Sequence, residues 1–213
     1  MSKSVLTEAE WLSPIDVVRA YHYARGGMSP RKQLLFACAC SRTDPEFVDD
    51  NRIRVCTQTA ELIADDQAIV DPYEPVRELL RLSPRAGISE WIRAYVPHAQ
   101  LLVPEPNFEW FLVWRIEQTT RKRRSGEMGY LKCLRDIVGN PFRAFSFDDR
   151  WCSPDTLGLA RAIYEDRAFD RLPILADALM DAGCDDDQIL AHCRSAGPHV
   201  RGCWVVDLVL GKT

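Results

Sequence analysis

The stretch Ser153–Arg194, SPDTLGLARAIYEDRAFDRLPILADALMDAGCDDDQILAHCR, decides the fold class of this chain. Its apolar residues recur at spacings of three and four, which is the period of a helix with one buried face. Ser153 places a capping hydroxyl before a proline, Gly183 closes a helix, and Asp185 with Gln188 has capping-box spacing. The stretch therefore predicts three consecutive helices, at 153–166, 172–182 and 186–194.

Helix-start signals of the same kind recur towards the amino terminus. Thr7 and Glu10 have capping-box spacing, and Ser13 and Ser29 each stand before a proline. Gly26 and its neighbouring glycine end a helix. These signals, with the apolar spacing of Phe47, Val48, Ile53, Cys56, Ala60 and Ile63, predict helices at 8–12, 14–25, 30–42 and 45–64.

The middle of the chain is the least regular part. Six prolines between residues 67 and 106 allow only short elements, with helices expected at 75–82 and 88–96. Further helices are predicted at 108–120 and 128–138, and a short extended segment near 142–147.

We therefore predict a mainly α fold, a compact domain over residues 1–213 with about eight to ten short helices. A subdivision at 1–66, 67–106 and 107–213 follows from the proline-rich middle. The composition agrees with a folded protein, because 46% of the 213 residues are hydrophobic and 27% are charged. No apolar run is long enough to span a bilayer or to resemble a signal peptide, so we expect a cytoplasmic protein without membrane contact.

Two histidines and two cysteines crowd into the segment 192–203, and three interpretations of them stay open. In the first, His192, Cys193, His199 and Cys203 bind zinc, which prefers imidazole and thiolate ligands. Adjacent residues of a helix point about 100 degrees apart, so His192 and Cys193 can share an ion only if the helix has frayed. In the second, one of the cysteines is a nucleophile that a histidine activates.

The third interpretation, which the sequence favours, is structural. Gly197 and Pro198 form a tight turn that returns a terminal apolar helix to the core, and His199 and Arg201 bond backbone carbonyls. Cys193, His199 and Cys203 are then expected to point to different neighbours. On this interpretation no cofactor is needed.

Two further patterns suggest binding surfaces. The basic run Arg121, Lys122, Arg123 and Arg124 can contact the phosphates of a nucleic acid, although the net charge of −4 provides no general attraction. Trp110, Phe111 and Trp114 form an apolar surface that is either core or an anchor for a protein partner. Phosphate-loop, dinucleotide, nucleophile-elbow and zinc-protease motifs are missing.

Several segments together resemble a family of bacterial proteins that has no assigned activity. They are Thr7–Trp11 (TEAEW), Arg31–Cys40 (RKQLLFACAC), Leu134–Arg143 (LRDIVGNPFR), Phe169–Leu179 (FDRLPILADAL) and His192–Lys212 (HCRSAGPHVRGCWVVDLVLGK). The resemblance implies no catalytic residue. In the family the Cys-Ala-Cys is often followed by another cysteine and a basic residue, whereas Ser41 and Arg42 follow here, which argues against a metal role for Cys38 and Cys40.

These observations predict a non-catalytic protein-interaction or regulatory module of a bacterial cytoplasmic system. The alternatives are a metal- or cysteine-dependent enzyme that uses the carboxy-terminal histidines and cysteines, and a nucleic-acid-binding accessory protein that uses the basic loop 121–124.

Overall fold

The computed structural model describes residues 6–43, 51–65, 124–143 and 147–213. Within these residues the chain is mainly α-helical, as the sequence predicts, and contains no strand. The α-helices are α1 (Glu8–Leu12), α2 (Val17–Ala24), α3 (Pro30–Thr43), α4 (Asn51–Ala64), α5 (Arg124–Val138), α6 (Pro154–Asp166), α7 (Leu172–Asp181), α8 (Asp187–Cys193) and α9 (Trp204–Leu210). Short 3₁₀ helices occur at Arg25–Gly27, Asp149–Trp151 and Phe169–Arg171.

The chain divides into two compact units. Met1–Leu12 and Lys132–Thr213 form the carboxy-terminal unit, and Ser13–Leu131 forms the middle unit. The subdivision predicted near 66 and 106 falls on residues of the middle unit that lie outside the described part. The helices predicted at 75–82, 88–96 and 108–120 lie there too, so all of these stay predictions.

In the middle unit, α3 packs against α4. The buried apolar contact joins Leu34, Leu35 and Cys38 of α3 to Ala60 and Ala64 of α4. As predicted, α3 begins after Ser29, whose Oγ accepts a hydrogen bond from the backbone N–H of Lys32 at 3.2 Å. The same two helices are linked by charge, because Arg42 donates two hydrogen bonds of 2.8 Å to the carboxylate of Glu61, a residue only 2% exposed.

The core of the carboxy-terminal unit is formed by side chains of α6, α7, α8 and α9. Val205 and Val206 of α9 are completely buried, and Val209 is 2% exposed. The prediction that the terminal apolar run is a helix that returns to the core is confirmed. Arg201, which precedes this helix, places its guanidinium carbon 4.8 Å from the centre of the Tyr164 ring.

The first helix belongs to this unit and supports the end of α5. Thr7 and Glu10 form the predicted capping box, with the backbone N–H of Thr7 donating to Glu10 Oε2 at 2.9 Å and that of Glu10 to Thr7 Oγ1 at 3.3 Å. Trp11 donates from its indole N–H to the carbonyl of Gly139 at 3.2 Å, and Arg135 donates to the carbonyl of Trp11. The carboxyl end of α5 is thereby fixed on both sides.

The start of α2 and the cap of α8 differ from the prediction. The helix expected from residue 14 begins at Val17, because Asp16 is the cap and accepts from the N–H of Arg19 at 2.8 Å. This register buries Val17 and Ala20, and aspartate caps a helix as well as serine does. Similarly, Asp186 rather than Asp185 caps α8, because its Oδ1 accepts from the N–H groups of Gln188 and Ile189 at 2.8 and 3.2 Å.

The surroundings of the basic run also differ from the prediction. α5 begins at Arg124, four residues before the predicted start, so the backbone of Arg124 is helical and not part of a loop. The helix ends at Val138, directly before Gly139, as predicted. Phe142, expected to be extended, lies in a turn, because its N–H donates to Asn140 Oδ1 at 3.0 Å, while residues 144–146 lie outside the described part.

Among the described residues, no helix is both long enough and apolar enough to cross a lipid bilayer.

Candidate metal centre

Four side chains that can bind a metal ion converge in the carboxy-terminal unit. They are Asp136 on α5, His192 in the last turn of α8, His199 in the following loop and Cys203 directly before α9. Their potential ligand atoms all lie within 4.8 Å of one another. Asp136 is 3% exposed and Cys203 is completely buried, while the side chains of His199 and His192 are 7% and 16% exposed. The group can therefore hold a metal ion in a site that the protein itself lines.

The carboxylate of Asp136 is the centre of this cluster. Its Oδ1 lies 2.6 Å from Nδ1 of His199 and 3.1 Å from Nε2 of His192. Its Oδ2 accepts a hydrogen bond of 2.8 Å from the backbone N–H of Val200. Burial opposes the charged form of Asp136, but the hydrogen bonds and charges of the two histidines outweigh it and lower its pKa. One oxygen is thus held by the backbone, and the other faces the remaining ligands.

His199 is held at both of its ring nitrogens. While Nδ1 faces Asp136, Nε2 lies 3.2 Å from the backbone carbonyl oxygen of Ser195. A carboxylate and a carbonyl only accept hydrogen bonds, so the imidazolium form of His199, with a hydrogen on each nitrogen, satisfies both contacts. The Ser195 hydroxyl lies 3.3 Å from Nε2 as well. Burial opposes this imidazolium form, but the hydrogen bond and charge of Asp136 prevail and raise the pKa of His199.

The sulfur of Cys203 completes the cluster, 3.2 Å from Nε2 of His192. Burial raises the pKa of this thiol well above its usual range, and the charge of Asp136 raises it further. The nearby backbone N–H groups of Val205 and Val206 lower the pKa of this thiol, but by less than burial raises it. Cys203 makes no side-chain capping hydrogen bond at the start of α9. Cys203 is therefore a protonated thiol unless a cation replaces its proton, as happens when a thiol coordinates a metal.

Aromatic rings flank the imidazoles. The ring centre of His192 lies 4.9 Å from that of His199 and 5.3 Å from that of Trp204, whose side chain belongs to the buried core. Gly139 makes room for Trp204, because a Cβ at this glycine would lie 3.2 Å from the indole. The end of α5 that carries Asp136 therefore also accommodates the ring beside His192.

Three of the residues that the sequence singles out come together: His192, His199 and Cys203. The prediction that His199 and Cys203 point to different neighbours is wrong, because both have His192 as a close neighbour. Another part of the structural interpretation is confirmed, since His199 does reach a backbone carbonyl, that of Ser195.

Cys193, the fourth predicted ligand, does not belong to the cluster. It is completely buried in the core of the carboxy-terminal unit, and burial raises its pKa to about 12. Successive residues of a helix project about 100 degrees apart, so Cys193 faces the core when His192 faces the cluster. A reactive cysteine needs a lowered pKa, so Cys193 is not placed to act as a nucleophile either.

Asp136 takes the place of Cys193, and sequence reasoning missed it. It is separated by more than 50 positions from the other three ligands, and no local spacing connects it to them. The available signal was its position in α5, one helical turn after the fully buried Cys133, since a carboxylate on a buried helix face needs a partner.

The other predicted binding residues stay untested. Trp110, Phe111 and Trp114, with Arg121, Lys122 and Arg123, lie outside the described residues. The side chain of Arg124 is not described either.

Comparisons of this chain with protein-family models, with curated proteins and with solved structures give no match.

Proposed function

We propose that the protein is a non-catalytic module of a regulatory or interaction system, folded around one structural Zn²⁺ ion bound by Asp136, His192, His199 and Cys203. The observation that carries this proposal is the meeting of four ligand atoms from four separate segments at one buried point. Proteins bury such groups together at a high cost in solvation unless a partner offsets it. A divalent cation is the partner that suits all four.

The donor atoms suit zinc. Zn²⁺ is bound by histidine nitrogen and carboxylate oxygen at about 2.0–2.2 Å and by cysteine sulfur at about 2.3 Å, in tetrahedral geometry. Ligand atoms around such an ion are therefore about 3.3–3.8 Å apart. The separations of 3.1 Å from Asp136 to His192 and 3.2 Å from His192 to Cys203 approach these values. The 2.6 Å hydrogen bond between Asp136 and His199 is the contact that an ion would replace.

The charges also favour a divalent ion. Asp136 and the thiolate of Cys203 together supply two negative charges, and the imidazoles bind in their neutral form. A Zn²⁺ ion would make the buried group neutral, which lowers the cost of burying it. Copper(II) has the same charge, and two histidines with one cysteine are its electron-transfer ligands. The fourth ligand of those sites is a weak methionine, glutamine or backbone oxygen, however, and not a carboxylate.

A structural role agrees better with this geometry than a catalytic one. Catalytic zinc sites have three protein ligands and leave the fourth position to water or substrate, whereas this cluster offers four ligands from the protein. A cysteine-dependent enzyme is disfavoured for a separate reason. Cys193 and Cys203 are completely buried and both have raised pKa values, the reverse of an activated nucleophile.

A non-catalytic module acts through what it binds, and we favour a protein partner. α7 offers two exposed apolar side chains that a partner can cover, because Ile174 and Met180 are 57% and 46% exposed. Nucleic-acid binding through residues 121–124 stays the alternative, and a salt titration with labelled nucleic acid would detect it.

Metal analysis tests the zinc site, with a matched pair of cysteine variants. Protein purified without added chelator should contain close to one zinc per chain. Cys203→Ala should lose this zinc, whereas Cys193→Ala, which removes an equally buried thiol outside the cluster, should keep it. A folded wild-type protein that binds no zinc on titration would refute the proposal, and equal loss of zinc in both variants would show that the metal only reports on folding.

A further inference from the structure

The two ends of the segment from Ser195 to Val200 each hold one of the four ligands by a backbone group. The carbonyl of Ser195 lies 3.2 Å from Nε2 of His199, and the N–H of Val200 donates to Oδ2 of Asp136 at 2.8 Å. Neither contact uses an atom that faces the centre of the cluster. These backbone groups therefore orient the ligands without competing with a metal ion.

Such contacts decide which atom of a ligand is free to coordinate. A metal-binding histidine almost always donates its second N–H to a carbonyl, a carboxylate or water, and this fixes its tautomer. For His199, Nε2 lies 3.2 Å from the carbonyl oxygen and 3.3 Å from the hydroxyl oxygen of Ser195. Both oxygens can accept the hydrogen of Nε2, which leaves Nδ1 for the ion. For Asp136 the bond to Val200 occupies Oδ2 and leaves Oδ1.

Gly197 sets the shape of this segment. Its φ of +71° lies in the left-handed region, which favours glycine. An added Cβ would lie 2.9 Å from the backbone nitrogen of His199 and 3.1 Å from Cδ2 of its ring. Because the closest obstacle is backbone, a side chain at this position must displace His199 itself.

Gly183, at the end of α7, offers a matched comparison. Its φ of +92° is also left-handed, but a Cβ there would meet nothing within 4 Å. Alanine at either position pays the cost of left-handed backbone, and only alanine at Gly197 pushes on a ligand.

We propose that Gly197 is a positioning residue of the zinc site, and that the segment Ser195–Val200 makes His199 bind through Nδ1 and Asp136 through Oδ1. His192, whose Nε2 faces both Asp136 and Cys203, binds through the other type of ring nitrogen. This inference rests on the zinc site proposed above. It adds that the two histidines are opposite tautomers, and that the turn geometry sets the affinity for the ion.

Zinc affinity, measured by competition with a chromophoric chelator, tests the role of Gly197. Gly197→Ala should bind zinc about 10–100-fold more weakly than the wild type, which is the usual effect of disturbing the groups behind a metal ligand. Gly183→Ala should bind zinc as the wild type does. Equal affinities of the two variants would overturn the role of Gly197.

Nitrogen NMR of the zinc-loaded wild type tests which ring nitrogen of each histidine binds zinc. This measurement does not depend on whether Gly197→Ala folds. In ¹⁵N-labelled protein, the couplings of ring carbon-bound hydrogens to nitrogen should show His199 with its hydrogen on Nε2 and His192 with its hydrogen on Nδ1. Zinc binding with His199 protonated on Nδ1 would overturn this inference and leave the zinc site in place. A wild-type protein that binds no zinc would instead refute the proposed function.

Discussion

Two buried carboxylates, Glu61 in the middle unit and Asp136 in the carboxy-terminal unit, have very different surroundings. Glu61 is 2% exposed and Asp136 is 3% exposed, so both are removed from water to the same extent. Glu61 meets the guanidinium of Arg42 through two hydrogen bonds of 2.8 Å. Asp136 contacts the imidazoles of His199 and His192, and the imidazole of His192 also contacts the thiol of Cys203.

The difference lies in the charge of the partner. Arginine keeps its charge at every pH that a protein experiences and has no lone pair to offer a metal ion, so the pair with Glu61 needs nothing more. Imidazole and thiol groups carry lone pairs and change their protonation. The negative charges of the cluster around Asp136 can therefore be neutralised either by protons or by a metal cation. The charge of Glu61 is neutralised by Arg42, which cannot coordinate a metal ion.

The largest effect is expected from Asp136→Asn. The amide has the size of the carboxylate and can still accept from Val200, but it removes the negative charge between the two histidines. We expect loss of bound zinc and a loss of about 3–5 kcal/mol in the free energy of unfolding, the usual cost of breaking a buried ionic group. Denaturant unfolding with parallel metal analysis measures both. A variant that keeps its zinc and the stability of the wild type would contradict the role of Asp136.

Glu61→Gln is the matching change in the middle unit. The amide of glutamine accepts more weakly from the Arg42 guanidinium than the carboxylate does. We therefore expect a loss of about 1–3 kcal/mol in the free energy of unfolding. Its zinc content should equal that of the wild type. If Glu61→Gln loses zinc as completely as Asp136→Asn does, then metal binding follows general stability and the contrast between the regions fails.

The smallest effect is the pH dependence of the chelated protein. The raised pKa of His199 stabilises the folded protein fully below its usual value of 6.5, and this contribution is lost as the pH rises through the raised value. The lowered pKa of Asp136 stabilises the folded protein at pH values above the usual pKa of 3.8. That contribution is lost as the pH falls through the lowered pKa. Chelated protein should therefore unfold at lower temperature as the pH increases from about 6 to about 8.

The zinc-loaded protein should show the opposite trend over the same range, because protons compete with the metal for its ligands. Melting temperatures of the two forms at a series of pH values provide the comparison. Parallel curves would mean that the added zinc does not replace protons in the cluster.

The sequence predicted what depends on local geometry. The caps at Thr7, Ser29 and Ser153 each involve residues a few positions apart, and all of them are confirmed. The divergence of His192 and Cys193 follows from the helical period in the same way. Where several capping residues compete, as at Ser13 and Asp16, burial of the following apolar residues decides, and the prediction of Ser13 as the cap was wrong.

The site could be predicted only in part, because it is assembled over a long distance. His192, His199 and Cys203 were recognised by their density in one segment. Asp136 joins them because α1 and Gly139 fix the end of α5, a tertiary arrangement without a local signature. The convergence of His199 with Cys203 also depends on the backbone shape at Gly197, which residue type alone does not determine.

X-ray absorption at the zinc edge of the loaded protein in solution tests the central claim most directly. The account predicts one sulfur at about 2.3 Å and three nitrogen or oxygen neighbours at about 2.0–2.2 Å. Two or more sulfur neighbours, or a shell of nitrogen and oxygen alone in the wild type, would contradict it.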